Sequence, residues 1–303
     1  MNEAWSRHIE EITGAGTVLC DEPMSRHTTF RIGGPADLFV KPETTEHIMK
    51  VIRVCREEGI PFFVLGNGSN LLVSDEGFRG LVIQLEHNYS QCRVVGGTSL
   101  AAKSGLYLTT LAQQARELGL TGLEYASGIP GTVGGAVLMN AGAYNGEIAD
   151  SLTEALVLKQ DGELTAVTRD ELDLGYRHSR AMDEGWVILS AVFSLTEGDP
   201  EKIEARMNEL RDLRQSKQPL EYASAGSTFK RPRGSYAGKL IMEAGLAGRS
   251  VGGAQVSEKH SGFIINRGNA TASDVRALID EVQERVLENS GIRLEPEVRF
   301  LGF

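Results

Sequence analysis

Cysteine is scarce in this chain of 303 residues: Cys20, Cys55 and Cys92 lie far apart, with no C-x-x-C pair. An odd, sparse count excludes a disulfide framework and reads as reduced thiols in a cytosolic protein. Proline is low, at 9, which excludes a Pro-rich linker composition. Positive charge is in deficit, with 31 Lys and Arg against 41 Asp and Glu, a net charge of −10. That argues against a general nucleic-acid binder but leaves room for a local basic pocket facing an anionic metabolite. The N-terminal stretch MNEAWSRHIEEITG has no apolar core of a secretory signal. The longest run without a charge, residues 125–146, holds six glycines and a proline, so it reads as loop-rich rather than as a membrane span. The six histidines are scattered, with no H-x-H or H-x₃-H pair, and no Cys/His/acid cluster has ligand spacing. No metal site is expected. These absences together predict a cytoplasmic protein with no membrane insertion and no nucleic-acid partner.

Glycine is what the chain has in excess. There are 35, where an average of roughly 7% would give about 21. No G-X-Y period accompanies them, so collagen is excluded. No repeat of 20–50 residues is evident either.

Hydrophobic periodicity predicts helices over 44–58, 107–118, 201–217, 236–244 and 273–289. It predicts strands over 60–65, 71–74, 81–86, 92–95, 152–159, 163–168, 186–196, 253–257, 262–266 and 293–301. Asp161-Gly162 marks a hairpin turn. Strands and helices mix without regular βαβ units, which points to α+β rather than a doubly wound sheet. Asp199-Pro200 is a strong helix start and the best composition shift, so the sequence divides near 199.

Five motifs could carry chemistry. GNGSN at 66–70 joins two apolar strands; its glycines and short donors fit an anion-binding nest or simply a tight turn. SGIPGTVGGAVLMNAGAYNG lies at 127–146, and seven glycines fall within 122–146. A diphosphate held by backbone N–H groups, at the start of a short helix around TVGGAVLMN, explains that density; close packing with turns is the competing account. YRHS at 176–179 offers an arginine that can clamp a carboxylate, or a surface ion pair. SAGSTFKRP at 224–232 places Ser227 after a glycine, where a serine ordinarily bonds or caps. LEPEVRFLG at 294–302 would set Glu295, Glu297 and Arg299 on one face of a strand. Two further matches fail. GRSVG at 248–252 follows a helix where a nucleophile elbow needs a strand, and GSYAGKL at 234–240 is one residue short of a P-loop.

Taken in order, these segments resemble the UDP-N-acetylenolpyruvoylglucosamine reductase family. The resemblance runs through HTTFRIGGPAD at 27–37, GNGSN, GIPGTVGGA, NAGAY, YRHS, AGSTFKRP, AGLAG, GGAQVS, KHSGFIIN and LEPEVRF, and so covers nearly the whole chain. It implies a two-lobed FAD-binding domain of the vanillyl-alcohol-oxidase type at 1–198, with lobes at about 1–85 and 86–198. A smaller α+β substrate-binding domain would follow at 199–303, its last strand returning to the active site.

The resemblance also implies roles. FAD would be held by Thr28, Arg31 and Gly33, by Gly66, Asn67, Gly68, Ser69 and Asn70, and by Gly128, Ile129, Pro130, Gly131, Gly134, Gly135, Asn140 and Gly142. Arg177, Ser227 and Glu297 fall on the family's catalytic positions. Tyr176, Arg214, Lys217, Lys230 and Arg299 would contact the substrate, UDP-N-acetylglucosamine enolpyruvate, and NADPH would be the hydride donor. Only about 50 residues separate Arg177 from Ser227, so the shorter subtype without a tyrosine-bearing lid is implied. Two other readings compete: an FAD-dependent oxidase or dehydrogenase of another small hydroxy acid or alcohol, and a non-catalytic flavin- or nucleotide-binding regulator.

Overall fold

The computed structural model describes residues 2–303. Helices and strands are mixed in an α+β arrangement, as the sequence pattern predicts. Two compact units form. The first contains the chain up to Cys20, Leu38–Asn67 and Gly80–Arg214. The second contains Asp21–Asp37, Gly68–Arg79 and Gln215–Phe303. The division therefore does not fall at residue 199. A helix runs unbroken over Pro200–Lys217, and its Met207 packs on the core of the first unit, so a cut at 199 would strip that stripe from its partner surface.

The first unit holds two apolar cores. One gathers Ile9 of helix α1 (Asn2–Thr13) with Ile48, Val51, Ile52 and Cys55 of α2 (Thr45–Glu57). They lie against Leu38, Val40, Leu81 and Ile83. Residues 18–20, 38–40, 80–84 and 62–65 form this unit's part of a sheet, in that order. Helix α2 starts where Thr44 Oγ1 accepts the His47 N–H as an N-cap.

The other core lies under α3 (Leu108–Glu117), which buries Leu108, Leu111, Ala112 and Ala115. Its sheet is antiparallel, in the order Leu164–Thr168, Leu152–Leu158, Val187–Ser194, Ser99–Lys103, Cys92–Val94. Asp161-Gly162 closes the predicted hairpin, with Gly162 at φ +87°. One short helix, α4 (Val133–Leu138), lies within the glycine-rich stretch, and another, α5 (Arg180–Asp183), follows the YRH tip. Helix α6 (Pro200–Lys217) completes the set.

The second unit packs α7 (Ala237–Glu243) and α8 (Ala272–Ser290) with an antiparallel sheet. The sheet order is Ala223–Ser224, Ile264–Asn266, Ala254–Val256, Ser250–Val251. Phe30, Ile32 and Leu72, far away in sequence, enter this core. The start of α8 is capped twice. Thr271 and Asp274 form a reciprocal capping box. Asp75, from a distant segment, accepts from the N–H groups of Ala272 and Ser273 and from the Ser273 hydroxyl.

The expected long strand at 293–301 is shorter in the structure. Arg299–Leu301 alone is strand, paired in parallel with Leu71–Val73. Pro296 has no N–H to donate to a ladder. The chain around it is tied instead by Lys230 N–H to Glu295 O and by Glu297 N–H to Thr228 O. Glu295, Glu297 and Arg299 therefore do not share one continuous strand face.

Candidate active site

In the first unit the two glycine motifs are joined directly. Asn67 Nδ2 donates to Pro130 O at 2.6 Å, and Gln84 Nε2 donates to Gly66 O at 3.2 Å. The Leu108 N–H reaches Gly131 O at 2.9 Å. A cavity opens beside them, lined by Gly66, Ser104, Thr132, Gly134, Gly135 and Trp186 among others. The lining residue Ser104 carries a buried hydroxyl with no hydrogen-bond partner in the protein.

The glycines of this region divide by what a side chain would meet. A Cβ on Gly134 would lie 2.7 Å from Ser104 Cβ; on Gly142, 2.6 Å from Gly146 O; on Gly146, 2.5 Å from the Tyr125 ring. These positions are glycine because the protein packs against itself there. Gly135 differs. It is exposed, has no positive φ, and its Cβ would find only Thr132 Oγ1, at 3.9 Å. A helical glycine with room for a methyl group, on the wall of a cavity beside an orphaned hydroxyl, fits close approach by a flat or polar ligand. The expected anion site at the start of α4 takes another form. The helix has six residues, and the Val133 and Gly134 N–H groups are already bonded to Leu106 O and Ser104 O. A ligand here therefore rests on open backbone and the cavity wall.

Gly128 packs on Arg214, whose Cδ would lie 3.1 Å from an added Cβ. Arg214 is half-buried, and no carboxylate pairs with it among the described residues. Burial lowers its pKa below the usual guanidinium value, while Tyr144 raises it. It remains a cation, suited to an anionic group. Ile129 and Gly131 are half-buried beside the exposed Pro130.

Arg177 sits at the tip of a tight turn. Gly175 and His178 exchange backbone hydrogen bonds of 3.1 and 3.2 Å around it. Its φ is +55°, its guanidinium donates to Gly142 O at 3.2 Å, and its charge lies 5.0 Å from the exposed Tyr176 ring. Asn140 is fully buried with φ +41°. Its amide is committed to the protein's own backbone, donating to Gly175 O and accepting the Ala149 N–H, both at 3.0 Å.

In the second unit Ser227 is exposed and next to the buried Thr228. Thr228 organises the area: its N–H donates to Gly262 O, its carbonyl accepts the Glu297 N–H at 2.8 Å, and its hydroxyl accepts the Ile264 N–H. Asn70 holds the other side of Glu297, with Nδ2 donating to Glu297 O at 3.1 Å and its carbonyl accepting the Arg299 N–H. Ser227 and Glu297 are thus carried on adjoining backbone that Thr228 ties together. Lys230 pairs with the exposed Glu295 at 3.5 Å, and Lys217 is exposed on α6.

Of the remaining expected residues of this unit, Gly33 and Gly68 are packed against the protein itself. Thr28 is buried and donates to Ile32 O. Arg31 is exposed at φ +56°. A Cβ on Gly33 would lie 2.8 Å from Val73 Cβ, and one on Gly68 would lie 2.2 Å from His27 O. Ser69 is half-buried. Sequence reasoning missed Ser104 and Trp186 on the cavity wall, and Thr228 beneath Ser227; Thr132 lay within the TVGGAVLMN motif. Ser104 and Trp186 are chosen by tertiary contact with Gly66 and α4, and no local spacing marks them.

A flavoprotein with an FAD-binding domain is the class that the family comparison defines, and the α+β scaffold agrees with it. Residues 36–168 match the family model described as an FAD binding domain. Residues 218–301 match that of the UDP-N-acetylenolpyruvoylglucosamine reductase C-terminal domain. The chain is 52% identical to the UDP-N-acetylenolpyruvoylglucosamine reductase of Agathobacter rectalis, over 100% of this chain and 99% of the relative. It is 49% identical to that of Clostridium kluyveri, over 99% and 98%. The solved UDP-N-acetylenolpyruvylglucosamine reductase of Thermus caldophilus superposes with a TM-score of 0.80 at 39% identity, covering 94% of this chain and 98% of that one. The chain belongs to the UDP-N-acetylenolpyruvoylglucosamine reductase family.

Among the described residues no helix is long and apolar enough to cross a membrane, and no group of three or more His, Cys, Asp or Glu could hold a metal ion.

Proposed function

We propose that this chain reduces UDP-N-acetylglucosamine enolpyruvate to UDP-N-acetylmuramate, a step in peptidoglycan precursor synthesis, with NADPH as the electron source. The observation that carries the reading is full-length identity of about one half to named reductases; the catalytic roles we assign fall on Arg177, Ser227 and Glu297. FAD, when bound and recharged by NADPH, supplies the hydride that the enol ether's methylene carbon accepts.

An enol ether is electron-rich and resists such attack unless its carboxylate takes up the developing charge. We assign Arg177 and Glu297 to stabilising that charge in the enediolate form, as oxyanion donors do elsewhere. Ser227 would then donate its proton to the adjacent carbon and be reprotonated from solvent. A hydroxyl is a weak acid and serves here because the carbanion it meets is strongly basic and the group is well placed. Gly66, Asn67, Gly128–Gly131 and Gly135 would line the cofactor; Tyr176, Arg214, Lys217 and Arg299 would receive the substrate's anionic groups. The three free cysteines, one of them exposed, suit a reducing compartment, and we infer a cytoplasmic location.

The test is anaerobic. A yellow protein should bleach on adding NADPH and regain its colour on adding UDP-N-acetylglucosamine enolpyruvate. A colourless protein that binds no FAD, or a reduced flavin indifferent to that substrate, overturns the proposal.

A further inference from the structure

Arg177 occupies a backbone conformation that L residues avoid, so the structure around it must hold it there. Two buried side chains anchor the turn that carries it. At the Gly175 end, Asn140 Nδ2 donates to Gly175 O at 3.0 Å. At the other end, Ser179 Oγ donates to Leu138 O at 2.7 Å and accepts the Met182 N–H. Asn140 and Ser179 are both fully buried. Leu138 and Asn140 lie at the end of α4, the helix whose Gly134 and Gly135 line the cavity. The carbonyl that receives the Arg177 guanidinium belongs to Gly142, two residues further on. One short segment, 134–142, thus lines the cavity and grips the arginine turn.

We propose that Asn140 is a positioning residue for Arg177, fixing the turn so that the guanidinium is aimed while the flavin site is built by the same segment. Its amide spans Gly175 and Ala149, and the side chain is fully buried. The inference rests on the role given to Arg177 in hydride acceptance. An error of about 1 Å in placing such a group costs roughly 10²-fold in rate.

The test follows both half-reactions of the flavin-loaded protein by anaerobic stopped flow. Asn140→Gly accommodates the positive φ and removes the amide. It should hold flavin, keep reduction by NADPH, and slow reoxidation by UDP-N-acetylglucosamine enolpyruvate by roughly 10- to 100-fold, in the limiting rate more than in KM. Asn140→Asp adds a signature that a merely structural role would not produce. The protonated acid can still donate to Gly175 O and the ionised form cannot. Its reoxidation rate should therefore fall as pH rises through an ionisation that the parent lacks, and burial raises that pKa.

Adding Asn140→Gly to Arg177→Ala should cost nothing further. Parent-rate reoxidation in Asn140→Gly overturns the proposal, as does an independent further loss in the double variant. If Asn140→Gly does not hold flavin, the Asn140→Asp profile decides, and a parent-like profile overturns the proposal. Full-speed reoxidation in Arg177→Ala would instead overturn the assignment of Arg177 itself.

Discussion

Gly135→Ala separates a glycine kept for a ligand from one kept for the fold. Gly135 is exposed in α4 and an added Cβ has open space, with its closest neighbour 3.9 Å away. Alanine is favoured over glycine within a helix by about 0.5–1 kcal/mol. The apoprotein should therefore gain stability, with a Tm higher by about 2–4 °C if the whole kilocalorie is realised. The same methyl group projects beside the cavity that Gly66 and Ser104 also line. Crowding a bound ligand by one methyl group costs about 1–3 kcal/mol, which weakens FAD binding by about 5- to 150-fold. Gly134→Ala is the contrast, because its Cβ would stand 2.7 Å from Ser104 Cβ. It should destabilise apoprotein and holoprotein alike by about 1–3 kcal/mol. The assay is thermal unfolding of the flavin-stripped protein by circular dichroism, with FAD titration by fluorescence quenching. If Gly135→Ala binds FAD with parent affinity, this wall of the cavity is not part of the flavin site.

Two further outcomes are expected. Ser227→Ala should keep flavin reduction by NADPH and block reoxidation by substrate in stopped flow; survival of both half-reactions would remove Ser227 from proton donation. Asp75→Ala should cost about 1–2 kcal/mol in denaturant unfolding through the lost cap on α8. Burial by itself raises the Asp75 pKa, but bonds from the Ser273 hydroxyl and the Ala272 and Ser273 N–H groups outweigh it and hold the carboxyl below its ordinary value. A depressed pKa gives stability that is present above the unfolded-state value, near 3.9, and lost as pH falls through the lower folded value. Acid unfolding curves of parent and Asp75→Ala should therefore converge as pH falls through that lower folded value; a gap that persists in the fully protonated state would show that the carboxylate charge contributes nothing.

Elements with strong periodicity were legible from the chain alone. The apolar stripes of α2, α3 and α8 and the Asp161-Gly162 hairpin follow from spacing, because each is decided by contacts within a few residues. The C-terminal strand was overread because hydrophobic alternation around Pro296 outweighed its missing N–H. The break near 199 was a true helix start, yet a local cap carries no information on which core the helix joins. Motif order also, through resemblance, pointed to the family that the comparisons show.

What the sequence by itself determined is the set of chemical groups: an arginine, a serine and a glutamate in recognisable settings, and glycine in excess. Tertiary structure decided what each glycine is for. Gly33, Gly68, Gly134 and Gly142 are required by neighbouring atoms of the protein, and Gly135 by none. It likewise decided that Asn140 and Asn70 grip backbone at Gly175 and Glu297. The reason is physical. Residue identity sets which bonds a group can make, but whether its space is filled by the chain or left for a ligand depends on segments tens to hundreds of residues away. That distance is closed only when the chain folds.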